Sequence, residues 1–302
     1  MNRRHLLMGV GATAALGGSA TWLVRSGMGS SADYAAGIAP LRAPLAEPPA
    51  LVDLVRFATL APNSHNTQAW RFRLRDKRID IQPDFSRRTP AVDPDDHHLY
   101  INLGTAAENL ALAAAARGQP GTVRFDPAGA IAFDFAPGPA IASPLFDAIP
   151  TRQSTRAEYD GRAVSSANLA LLTKAAAVPG VDLVLLTDRP RIERLRDLVV
   201  AGNSAQMADP AFVQELKSWL RFNPHQALRS GDGLYSVASG NPPCPTGWGR
   251  KPSTGFHRRP ARTMPMPARS PRPPASRCSS APAKRPRNGS TWAVHASGSR
   301  YR

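Results

Sequence analysis

Residues 61–70 read APNSHNTQAW, and the chain continues through residues 70–83 as WRFRLRDKRIDIQP. Asn63, Ser64 and Asn66 crowd behind Pro62. Such residues favour turns, because short polar side chains bond nearby backbone and proline presets φ. Beyond Trp70 apolar and polar residues alternate, the period of a half-buried strand. The stretch therefore reads as a polar loop entering a strand. One reading of the loop is a solvated connector. The other is a site, since its side chains offer donors and acceptors at close range, as a ligand with several ring heteroatoms requires.

Working outward, PALVDLVRFATLA (49–61) has Leu51, Leu54, Val55 and Ala58 at helical spacing. INLGTAAENLALAAAARGQ (101–119) predicts an Ala-rich helix stopped by Gly118 and Pro120, and its lack of a strong polar face implies burial on most sides. TVRFDPAGAIAFDF (122–135) reads as two strands around a turn at 127–129. SSANLALLTKAAAV (165–178) predicts a helix capped by Ser165 or Ser166, and VDLVLLTD (181–188) a buried strand. Two further helices are expected over 190–209 and 210–221, the second with Pro210 near its start. The class is α+β.

The 302 residues are 42% hydrophobic, enough for one large core or two smaller ones. The net charge of +16 first suggests nucleic acid, but it is unevenly spread. No acid follows Asp232. Residues 251–302 hold 12 Lys and Arg, and without them 26 basic residues face 22 acidic ones, a balance of +4. The body is nearly neutral, and no specific nucleic-acid partner is expected. Cys244 and Cys278 have no metal-ligand spacing and make no disulfide framework. In DPDDHH, His97 and His98 adjoin acids without the spacing of a metal site, so a solvated loop is expected and no metal.

The first residues, MNRRHLLMGVGATAALGGSATWLV, join a twin arginine, Arg3 and Arg4, to a Gly/Ala-rich apolar run. That is the layout of a Tat export signal, here assigned to residues 1–35. It predicts a periplasmic protein without a stable span after cleavage, or one anchored by an uncleaved signal.

Three stretches carry a family resemblance: LAPNSHNTQAWRF (60–72), RRTPAVDPDDHHLYINLGTAAENLALAAAARG (87–118) and IPTRQSTRAEYDGRAV (149–164). Together they resemble the flavin-dependent nitroreductases, more closely the fused branch in which one chain mimics a nitroreductase dimer. The likeness covers roughly residues 45–243. The family loop runs P-S-x-x-N-x-Q-P-W; here Asn63 stands for the first Ser and Ala69 for the Pro. The second motif, R-x-S-x-R, is Arg152, Gln153, Ser154, Thr155 and Arg156. In dimeric relatives one subunit lends the arginine motif and the other the loop. Here the first half has only the loop and the second half only the arginines. The resemblance thus implies two tandem half-domains, 45–140 and 141–243, one composite site and a monomer.

It also implies FMN. Its phosphate suits the forked guanidinium groups of Arg152 and Arg156, with Gln153 and Ser154 beside them, while Asn63, Ser64, Asn66 and Gln68 meet the ring edges. By spacing alone the arginines could instead pair with Glu158 or Asp160. Asn109 reads as a buried side chain bonded to a nearby carbonyl in preference to a ligand contact. No catalytic side chain is implied, since hydride passes through flavin N5 to a small organic acceptor, with NAD(P)H as a possible donor. A flavin-storing protein without turnover is the alternative, as is an inactive product.

From residue 244 onward the text turns to Arg, Pro, Ser and Ala without periodicity. Such a segment buries too little apolar surface to offset its ordering entropy. It reads as a basic arm for polyanions, or as a reading-frame shift that leaves the second half incomplete.

Overall fold

The computed structural model describes residues 27–154, 159–239 and 243–245. In chain order the elements are α1 (Ser31–Ile38), α2 (Leu51–Thr59), β1 (Trp70–Arg75), β2 (Arg78–Pro83), α3 (His97–Ala116), β3 (Gly121–Phe125) and β4 (Ile131–Phe135). Then follow α4 (Pro144–Ala148), α5 (Ser166–Ala175), α6 (Arg189–Ala208), α7 (Pro210–Trp219), β5 (Leu220–Arg221), α8 (Pro224–Ser230) and β6 (Leu234–Tyr235). The mixture is α+β, as the sequence periods require. The described residues divide into two units: those from Pro44 to Glu215, and those up to Ala43 together with those from Leu216 onward.

In the larger unit, an antiparallel sheet has strand order β1-β2-β4-β3. Period-two alternation turns Phe72, Ile79, Ile81, Ile131 and Phe133 to one face, in the core that α3 shares with α2 on its other side. Thirteen of the twenty α3 residues are buried, mostly alanines whose small side chains let neighbouring elements approach closely. The helix ends as Gly118 and Pro120 foretell. Gly118 takes a left-handed φ of 72°, while Gln119 N–H and Gly118 N–H donate to the carbonyls of Ala114 and Ala115. α2 buries Leu54, Phe57 and Ala58, one face of a helix.

Three expectations are corrected. The alternating stretch 70–83 is two strands, turned at Asp76–Lys77 so that Arg75 pairs with Arg78. Residues 181–188 form no strand, and Val184 is 73% exposed. A strand needs a hydrogen-bonded neighbour, and among the described residues none is paired with this stretch. DPDDHH is only partly a solvated loop. Asp93 is buried and accepts from the N–H groups of His98 and Leu99 (3.0 Å each), capping α3, while the His98 ring is exposed. Burial opposes ionisation of Asp93, but those N–H groups together with the adjacent His98 ring hold the carboxyl below its usual range.

In the smaller unit, Ser30 and Asp33 form a reciprocal capping box at the start of α1. Gly37 allows α1 to lie close on α8: a Cβ there would come within 2.5 Å of Leu228. Tyr34 and Tyr235 stack tilted at 4.5 Å, and Arg221 pairs with Asp232 at 2.6 Å, both largely shielded. No helix among the described residues is long and apolar enough to cross a membrane.

Candidate functional site

The loop between α2 and β1 is held in an unusual backbone. His65, Asn66 and Gln68 all take positive φ (48°, 51° and 52°), while Thr67 between them is right-handed at φ −68°. A left-handed residue other than Gly is disfavoured by about 1–2 kcal/mol, so three in four positions persist only if the surroundings impose them.

The imposing groups come from four places. Asn63 Oδ1 accepts from Gln68 N–H (2.9 Å), and Asn63 Nδ2 donates to Ala61 C=O (3.2 Å). From α3, Asn102 Oδ1 accepts from Ser64 N–H (3.3 Å) and Thr105 Oγ1 donates to Pro62 C=O (3.1 Å). Arg87 Nε donates to Thr67 C=O (2.6 Å). Arg152 Nη2 donates to Leu60 C=O (3.1 Å), the carbonyl just after α2. Thr67 and Ala69 within the loop, and Trp70 where it enters β1, are buried.

Each sequence candidate now has a position. Asn63 spends both ends of its amide on shaping the loop. Ser64, Asn66 and Gln68 lie half-buried on it. Arg152 is half-buried at the loop's entrance, and Gln153 and Ser154 beside it are exposed. Arg156 lies outside the described residues, as do Thr155 and Glu158. Asn109 Nδ2 donates to Phe57 C=O (3.3 Å), the structural role expected of it.

Sequence reasoning missed four contributors. Asn102 and Thr105 share with Asn109 one polar stripe of α3, and that spacing (102, 105, 109) was the available signal. Arg87 carried none, because its partner is a backbone carbonyl twenty residues away. His65 has its Nδ1 buried with no hydrogen-bond partner among the described residues. Burial lowers its pKa, and the Glu215 carboxylate opposes that only in part. Glu215 meanwhile accepts from the N–H groups of Ala91 (2.9 Å) and Val92 (3.1 Å). The arrangement is a loop tied by hydrogen bonds from separate segments, with an imidazole in it whose protonation burial disfavours and two guanidinium groups at its ends.

No family model matches the chain. Two proteins of Mycobacterium tuberculosis, both named "Putative NAD(P)H nitroreductase" (strains CDC 1551 / Oshkosh and ATCC 25618 / H37Rv), are each 28% identical to it over 176 residues. The match covers 55% of this chain and 49% of theirs. An uncharacterized protein of the former strain is 28% identical over 200 residues, 64% of this chain and 28% of its own length. The chain thus spans about half the length of the first two relatives, or less for the third. The likeness is distant and supports a nitroreductase-like family.

Proposed function

We propose that this chain is an FMN-dependent oxidoreductase of nitroreductase type, with two tandem half-domains imitating a dimer and the second incomplete. The observation that carries the reading is one juxtaposition. Arg152, from the arginine motif, donates to Leu60 C=O, immediately ahead of the loop that bears the other motif. That contact supports the reading in which both motifs serve one composite site. The residues fit the cofactor chemically: the loop holds a buried imidazole nitrogen still lacking a partner among the described residues, with amides and a hydroxyl around it.

When bound, FMN supplies hydride transfer at its N5. Ser64, Asn66 and Gln68 orient the ring edges by hydrogen bonds. Arg156, with Gln153 and Ser154, holds the phosphate, while Arg152 is engaged with the Leu60 carbonyl at the entrance of the loop. The burial of Thr67, Ala69 and Trp70 keeps water from that part of the backbone. NAD(P)H is the proposed donor and a small organic molecule the acceptor. The twin arginine is proposed to direct export, which Arg3→Lys with Arg4→Lys should abolish in a cell-fractionation assay.

The purified chain decides the matter. Flavin absorbance that co-purifies, and bleaches on adding NAD(P)H without oxygen, is the expected result. Flavin that binds but does not bleach defeats the enzyme and leaves a storage protein. A colourless protein that takes up no added FMN defeats both.

A further inference from the structure

Two guanidinium groups grip the backbone of one loop from its two ends. Arg152 holds the carbonyl of Leu60 and Arg87 that of Thr67. Between those carbonyls lie left-handed His65 and Asn66, and Gln68 follows directly. Neither carbonyl is easily satisfied otherwise. Leu60 ends a helix, whose last carbonyls lack internal partners and favour a cation. Thr67 is 2% exposed, so water cannot readily replace a lost protein donor. The two arginines come from different places, one after β2 and one after α4, so the loop's shape depends on both segments being docked.

We infer that Arg87 and Arg152 are positioning residues. They fix the loop through its carbonyls, and flavin affinity depends on them through loop geometry instead of charge on the phosphate. This rests on the flavin reading above for its ligand, but not for its geometry. Arginine suits the task because its Nε–H and Nη–H groups are rigidly directed, whereas a lysine ammonium is a mobile point charge.

The test uses the full chain with Arg87→Gln, Arg87→Lys and Arg152→Gln. Each variant is titrated with FMN and with riboflavin, which lacks the phosphate. Amide hydrogen exchange is followed over residues 61–70 and over α3, the latter reporting whether the core is intact. Loss of a charged hydrogen bond predicts that both flavins weaken by the same factor, about tenfold to a hundredfold. Exchange at Ser64 and Gln68 should quicken while α3 is unchanged, and Arg87→Lys should recover little. Two results overturn the inference: FMN weakening at least about tenfold more than riboflavin, as a phosphate contact worth 1.4 kcal/mol or more predicts, or exchange in the loop staying at its parent rate. If the parent chain binds neither flavin, the exchange arm alone decides. The flavin reading then fails while the positioning role stands or falls separately.

Discussion

Residues 44–154 and residues 159–208 obey the same local rules and reach different ends. In the first stretch α2 and the sheet close around α3, and Leu54, Leu103, Ile79 and Phe133 are wholly buried. In the second, α5 and α6 are well formed, the former capped by Ser165, yet neither contains a buried residue. Leu171, Leu195, Val199 and Leu198 lie exposed, the last at 65%. Caps and helical propensity are enough to shape a helix, but only apolar faces that meet make a core. The difference lies in available neighbours, since α3 has two helices, α2 and α4, and three strands against it.

The sharpest way to break this contrast is a pair of truncations. Leu103→Ala should lower the urea midpoint by an amount equivalent to about 2–5 kcal/mol, for a buried leucine leaves a cavity. Leu198→Ala should stay within about 0.5 kcal/mol of the parent. Comparable losses would mean that α6 is packed in solution. Trypsin offers a second view. Cleavage at Arg191, Arg194 and Arg196 should precede cleavage at Arg75 and Arg78, whose hairpin opens only with the core; the reverse order would abolish the distinction.

Within the better-packed region the loop itself can be loosened. Asn102→Ala leaves the Ser64 N–H without its acceptor and should be destabilising by about 1–3 kcal/mol, read from the urea midpoint, with faster exchange confined to the loop. The smallest effect concerns pH. Because the His65 pKa is lowered in the folded chain, the unfolded chain binds more protons once pH falls below the ordinary imidazole value of about 6.5. Stability should therefore decline from that point down to the lowered folded value and be unaffected by this group above it. His65→Gln should remove that part of the acid slope in pH-dependent urea titrations.

Much of this was legible in the sequence. The Ala-rich run announced a buried helix, Gly118 its end, and Pro127–Gly129 the turn between β3 and β4. What period-based reading missed depended on partners distant in sequence. VDLVLLTD has a strand's composition, but a strand exists only when paired, and pairing is not a local property. The hairpin at Asp76–Lys77 is marked only by a change of parity, from Trp70, Phe72 and Leu74 to Ile79 and Ile81 across the charged run 75–78. At the candidate site, the loop's residue types were visible, whereas its left-handed backbone and the hold of Arg87 and Arg152 arise only once separate segments meet.

The smaller unit has a consequence for the order in which the chain matures. Its α1 docks on α8, and the backbone of Met28 accepts from His225 N–H (2.9 Å). Its two segments are separated in the chain by the whole stretch from Pro44 to Glu215. At ordinary synthesis rates that stretch takes roughly 10–35 s to emerge. During that interval α1 has no α8 to settle on, while the sheet and α3 already have every strand they need. Among the described residues, those of α1 next to the twin-arginine segment are thus locked in place only once translation has passed Tyr235.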